Sequence, residues 1–239
     1  MLCSQTSNAS IMIPFLPSRP SDPTSFYFVS FYSIIRNALQ CLSEIQNLEL
    51  LVADRNYEAI VTACKFPRMN RFECYLSLTP SLISFLNNHP NINYLQLAPH
   101  DDLTPLLSDP LPPVILPKLE YFIGNSECVS PLVRETSLRA AFVFWDAVDE
   151  GPAEAIGALE QSSSETLSVI SCRRRGWNLD LMDLISIRLP NIFVLSITNL
   201  LIVDTHPSEV NMGILFPFIL MIYHYLGIPR DNQGLPVAI

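Results

Sequence analysis

The sequence predicts an α/β solenoid, a stack of strand–helix units whose strands build one parallel sheet on the concave face, with the helices on the convex face. Three observations carry that prediction. The first is a recurring phrase, which runs apolar or His, Pro, polar, apolar, two free positions, apolar, one free position, then apolar or small. Phe66-Pro67-Arg68-Met69 leads to Phe72 and Cys74, and His89-Pro90-Asn91-Ile92 leads to Leu95 and Leu97. Leu116-Pro117-Lys118-Leu119 leads to Phe122 and Gly124, and Leu189-Pro190-Asn191-Ile192 leads to Leu195 and Ile197. Ile45, Leu48, Leu50 and Leu167, Ile170, Cys172 repeat the phrase without its proline. The second observation is the interval. First positions fall at 45, 69, 92, 119, 167 and 192, giving steps of 24, 23, 27, 48 and 25, and 48 is two units around a degenerate copy. Self-similarity at this period marks stacked units that bury their apolar faces against one another. The third is composition. Hydrophobic residues make up 49% and charged ones 15%, which excludes a disordered tail, while Pro at 20 and Gly at 7 suit short stops between elements.

The elements follow in order. Residues 1–25, rich in Ser, Pro and Asn, read as irregular. Residues 26–210 read as the repeat domain. From Phe26 to Leu42, Ile34, Ile35, Ala38, Leu39 and Leu42 fall at helical spacing and lead into a strand at Ile45–Leu50. Tyr57–Lys65 places Ala59, Ile60, Ala63 and Cys64 on one helix face. Thr79-Pro80 sets a capping hydroxyl before a first-turn proline, ahead of Leu82, Ile83, Phe85 and Leu86. Ser130-Pro131 repeats that arrangement ahead of Leu132, and Pro152 opens Ala153–Glu160. Asn178 caps a helix over Leu179–Arg188, with Leu181, Leu184, Ile185 and Leu189 inward. Near residue 140 two registers compete. Leu138, Ala141 and Val143 fit one, and a shift by one residue turns Phe142 and Phe144 inward instead. Residues 211–239 lack the phrase and form a divergent apolar segment. Strand, turn, helix, Pro-containing turn and strand again make up the leucine-rich-repeat plan.

The Leu-Pro-Asn-Ile, His-Pro-Asn-Ile and Leu-Pro-Lys-Leu strand starts, with the stretch from Phe31 to Leu50, resemble the repeat region of the F-box proteins that fungi carry in large numbers. The resemblance covers roughly Phe26 to Asn199. It implies a non-catalytic scaffold for protein recognition, the substrate-binding arm of a ubiquitin-ligase receptor. The F-box phrase itself, a Leu-Pro followed by acidic residues, is not found before Phe26, since Phe15-Leu16-Pro17 is followed by Ser18 and Arg19. The Asn or Cys expected after the strand is replaced by Ser77, His100, Glu127 and Arg175. A cullin-ligase adaptor is therefore expected as a partner only if an F-box lies upstream. The alternative is a stand-alone leucine-rich-repeat interaction protein unrelated to ubiquitin.

Charge and cysteine usage narrow the partners. A net charge of −9 argues against nucleic acid, which needs a basic footprint, and leaves protein partners of unknown identity. Cys3, Cys41, Cys64, Cys74, Cys128 and Cys172 form no CxxC pair, so no zinc ribbon is expected. Cys74 and Cys172 fill the same small apolar slot in two repeats, which fits a reduced intracellular protein, cytoplasmic or nuclear. Ile11–Leu16 is too short and too broken by Pro14 for a signal peptide. Met212–Pro229 lacks Asp, Glu, Lys and Arg, but Pro217 and His224 interrupt it. A packed or poorly folded end is the reading taken, with a tail anchor as the alternative.

No catalytic, cofactor-binding or metal-ligating residue is expected. Gly124-Asn125-Ser126-Glu127-Cys128 is not a GxSxG elbow, which leaves a small hydrolase as a remote third reading, and no phosphate-binding glycine loop occurs. His89 reads as filler of the slot before a repeat proline, and Asp101-Asp102 as the cap of a helix with Leu103 and Leu106, rather than as metal ligands beside His100. Arg173-Arg174-Arg175 reads as a solvated loop, with an anion contact as the alternative. The functional candidates lie on the open face of the sheet, at the third, fifth and seventh positions of each phrase. Glu49, Arg71, Glu73, Tyr75, Tyr94, Gln96, Tyr121 and Arg173 are the expected partner-binding residues there. Asn47, Ile123, Ser171, Ser196 and Thr198 share the face. Tyr and Arg suit such a role because they join large contact area to polar handles.

Overall fold

The computed structural model describes residues 8–12, 25–51, 56–97, 111–134, 136–145, 151–174, 179–199 and 219–220. The chain is α/β. Strands β1 (Asn8–Met12), β2 (Asn47–Leu51), β3 (Arg71–Cys74), β4 (Tyr94–Leu97), β5 (Tyr121–Asn125), β6 (Ala140–Trp145), β7 (Val169–Arg174) and β8 (Val194–Asn199) lie in chain order in one sheet. Each pairs in parallel with the next. A short β9 (Ile219–Leu220) closes the order antiparallel to β8. Helices α1 (Ser25–Gln40), α2 (Asn56–Thr62), α3 (Pro80–Asn87), α4 (Val129–Leu132), α5 (Ala153–Ser163) and α6 (Leu179–Arg188) fall between the strands. Strand β1 lies inside the segment expected to be irregular.

The proline phrase forms a turn that starts β3, β4, β5 and β8. The backbone N–H of Met69 donates to the Phe66 carbonyl at 3.0 Å, Ile92 to His89 at 3.2 Å, Leu119 to Leu116 at 3.0 Å and Ile192 to Leu189 at 3.2 Å. Proline occupies the second position of each four-residue turn, where its fixed φ costs nothing. The next residue then hands the chain on. The Gln46 carbonyl accepts from both Asn70 and Arg71, the Asn70 carbonyl from Asn93 and Tyr94, and the Asn93 carbonyl from Glu120 and Tyr121. One shared acceptor per unit locks each strand start to the preceding one and fixes the register.

That register aligns the expected columns. Leu48, Phe72, Leu95, Phe122, Ala141, Ile170 and Leu195 stand opposite one another in succession. The first six are fully buried, while Leu195 is half-buried on the last parallel strand. Near residue 140 the choice falls on Leu138, Ala141 and Val143, all fully buried, and Phe142 is left exposed. Size explains it, since small Ala141 sits between Phe122 and Ile170 in the buried column. Gly124 answers the same crowding. A Cβ there would lie 2.6 Å from the Phe122 ring and 2.7 Å from the Leu97 carbonyl oxygen, so the phrase ends in glycine where other units hold Leu, Cys, Val or Ile.

The helices cover the buried columns. Thr79 caps α3 as expected, its hydroxyl accepting from the Leu82 N–H at 3.1 Å. Ser130-Pro131 does not cap a helix. A 3-10 turn at Ser126–Cys128 runs straight into α4, so both residues lie inside it, and Pro131 falls in the first turn, where no N–H is needed. His89 is 3% exposed, its Nδ1 2.7 Å from the Phe85 carbonyl and its Nε2 accepting from the Phe66 N–H at 2.9 Å. The carbonyl fixes the proton on Nδ1, and the neutral ring ties two units together. Burial pulls its pKa below the ordinary value, against the Phe85 hydrogen bond. His100, Asp101-Asp102, Arg175, Asn178 and most of Met212–Pro229 lie outside the described residues. Among the described residues no helix is long and apolar enough to cross a membrane.

Candidate recognition face

Alternation along a strand sends the fourth and sixth positions toward the helices and the third, fifth and seventh away. Burial follows that rule, as the half-buried, buried alternation of β2 and β4 shows. Register then assembles the outward residues into rows. One row runs Asn47, Arg71, Tyr94, Tyr121, Ala140, Val169, Val194, and the next runs Glu49, Glu73, Gln96, Ile123, Phe142, Ser171, Ser196.

Six of the eight sequence-predicted residues come together on β2 to β5. The Arg71 guanidinium meets Glu73 through Nη2 at 2.5 Å, with Nε at the same distance from the same oxygen, and its carbon sits 4.1 Å from the centre of the Tyr94 ring. Tyr94 lies 6.4 Å from Tyr121, ring to ring, and its hydroxyl is 3.5 Å from the Gln96 amide oxygen. Burial works against the Arg71 charge, but the Glu73 hydrogen bond and charge, helped by Tyr94 and Glu49, outweigh it, so its pKa rises. Burial raises the Tyr94 pKa as well, and Glu73 adds to that, against Arg71. Glu73 differs from the expectation of an open residue, because Arg71 covers it and leaves it 8% exposed. Tyr75 is half-buried beyond the end of β3. Arg173 is exposed but lies on β7, four strand steps from Arg71, or about 19 Å at 4.8 Å per step.

No family model, curated protein or solved structure matches the chain. The face must therefore be read from its own chemistry.

Sequence reasoning missed its apolar centre. Phe142 is 36% exposed, and Phe144 is half-buried between Asn125 and Arg173 in the seventh-position row. With exposed Tyr121 and half-buried Ile123 they form an aromatic and aliphatic strip across β5 and β6. The signal was present in the phrase: counting from Leu138 as first position places 142 and 144 at five and seven.

Other groups on the molecule serve packing. The Cys74 and Cys172 thiols are buried and pushed up to about 12, chiefly by that burial, so they stay protonated. A shallow polar groove follows the strand-start rim past Gln46, Asn70, Asn93 and Glu120. Its turn residues bond from unit to unit, Arg68 to Glu44 at 2.5 Å and Lys118 to Asn91 at 2.8 Å. Among the described residues no group of three His, Cys, Asp or Glu could hold a metal ion.

Proposed function

We propose that this chain is a non-catalytic protein-recognition scaffold, an irregular leucine-rich-repeat solenoid that grips its partner with the concave face of its sheet. The resemblance of its strand starts assigns it further, as the substrate-binding arm of an F-box ubiquitin-ligase receptor. The observation that carries the reading is the outward face of β3 to β6. There Arg71 is held by Glu73 and stacked on Tyr94, Tyr94 neighbours Tyr121, and Phe142 stands exposed beside them. Preorganised Arg and Tyr next to exposed apolar surface match the makeup of binding hot spots.

The test is a photocrosslinking amino acid placed at 121 or 142, and in control chains at Ser81 or Glu154 on the helices. Discrete protein adducts from the sheet positions alone support the reading. Adducts from the helix positions alone overturn it. The alternative is a stand-alone leucine-rich-repeat interaction protein unrelated to ubiquitin, and coding sequence for an F-box upstream of Met1 decides against it.

A further inference from the structure

The outward face changes character at β7. In the third, fifth and seventh rows of β6 to β8 the one charge is Arg173. It stands opposite Phe144 on β6 and Thr198 on β8, and Ser171 and Ser196 stand opposite each other one row away. Strand alternation divides the arginine run. Arg174 turns inward and is 4% exposed, which leaves Arg173 exposed on the open face. On β3 the Arg71 guanidinium already holds Glu73. Among the described residues Arg173 holds no carboxylate, and the half-buried hydroxyls of Ser171, Ser196 and Thr198 hold no hydrogen bond. A cation with all its donors available thus stands among three hydroxyls that can each donate one more. Phe144 beside it keeps water from one side, which strengthens an ion pair made there.

We infer that the face selects an extended protein segment with an Asp or Glu side chain seated at Arg173 and a large apolar side chain seated at Ile123 and Phe142. This rests on the recognition reading above and adds the partner's chemistry. The guanidinium fork matches a carboxylate, and a basic side chain would be repelled from the same place. One cation balances one carboxylate. A phosphate dianion would leave surplus negative charge on a chain that already carries −9. The sheet sets the spacing. Ile123 and Phe142 face each other across β5 and β6, and Arg173 and Thr198 across β7 and β8. The two seats are two strand steps apart, about 10 Å at 4.8 Å each, which an extended chain spans in about three residues.

A random twelve-residue peptide library displayed on phage, panned against the full chain, tests this. Clones retained by a folded Phe142→Ser variant are discarded. The expected survivors carry Asp or Glu about three residues from an aromatic or aliphatic residue. A synthetic survivor should bind about tenfold more weakly to Arg173→Gln, by fluorescence polarisation, and lose affinity in 0.5 M salt. Its amide counterpart, Asn or Gln in place of the acid, should bind the wild type and Arg173→Gln alike. Both substitutions lie on the open face, and circular dichroism and melting confirm that the variants fold. Survivors bound equally by wild type and Arg173→Gln overturn this inference and leave the recognition reading standing. Tighter binding of the same peptide with phosphoserine in place of the acid overturns the carboxylate assignment. No Phe142-dependent survivors at all overturns both readings.

Discussion

Gly124→Ala isolates the one position where the repeat phrase demands glycine. The added Cβ would stand 2.7 Å from the Leu97 carbonyl and 2.6 Å from the Phe122 ring, both closer than real contacts allow. Neither neighbour yields easily, since one is backbone of a paired strand and the other is a fully buried ring. Overpacking of this kind costs about 1–3 kcal/mol, or about 4–8 °C in Tm for a loss near 2 kcal/mol at this chain length. Gly157→Ala is the matched control. Its Cβ would meet only the Arg188 Nη1 at 2.9 Å, the far end of a flexible side chain, and alanine favours the helix by roughly 0.5–1 kcal/mol. Urea titration followed by circular dichroism should place Gly124→Ala below the wild type and Gly157→Ala level with it or above. Adding Phe122→Leu to Gly124→Ala relieves the ring contact, so the pair should lose less than the two single changes summed. Equal stability of Gly124→Ala and the wild type would refute the register at β5.

Three further outcomes follow. His89 binds its proton less readily when folded, so between its lowered folded pKa and the ordinary value near 6.5 the unfolded chain holds more protons; its contribution is complete above about pH 6.5 and shrinks as pH falls below it. Urea midpoints from pH 8 to pH 5 should drop more steeply for the wild type than for His89→Leu, which also strands the buried Phe66 N–H at a cost of about 1–3 kcal/mol. Thiol labelling of the native chain, read by mass spectrometry, should modify exposed Cys41 well before Cys64, Cys74, Cys128 and Cys172, and rapid labelling of Cys74 or Cys172 would contradict their burial. The chain expressed alone should show no saturable binding to purified cullin-ligase adaptor, and micromolar binding would be the contrary result.

The strand columns were legible because turn chemistry is local. Pro67, Pro90 and Pro117 each sit two residues before a fully buried first position, and the period-two alternation follows from there, so Phe72, Leu95 and Phe122 fall in line, while Leu48 and Ile170 keep the same spacing from Ile45 and Leu167 without a proline. At β6 Phe142 and Phe144 face outward while the smaller Ala141 and Val143 face the core, so hydrophobicity alone could not choose. Strand β1 was hidden because Asn8-Ala9-Ser10 reads as loop composition, and only pairing with β2 makes it a strand. Ser130-Pro131 carried a cap signal that the preceding 3-10 turn overrides. On the face, Glu49, Arg71, Tyr94 and Tyr121 were found by counting positions. The burial of Glu73 under Arg71 depends on rotamers and a neighbouring strand, which no spacing rule reports.

The claim that the outward sheet face recognises protein is tested most directly by calorimetry on a partner recovered through a crosslink at position 142. The partner is titrated with the wild type, with Tyr94→Ala/Tyr121→Ala/Phe142→Ala, and with the helix-side control Glu154→Ala. Central aromatic residues each contribute more than about 1 kcal/mol in such interfaces, so the triple variant should bind at least tenfold more weakly while the control is unchanged. A folded triple variant that binds with wild-type affinity would contradict the account.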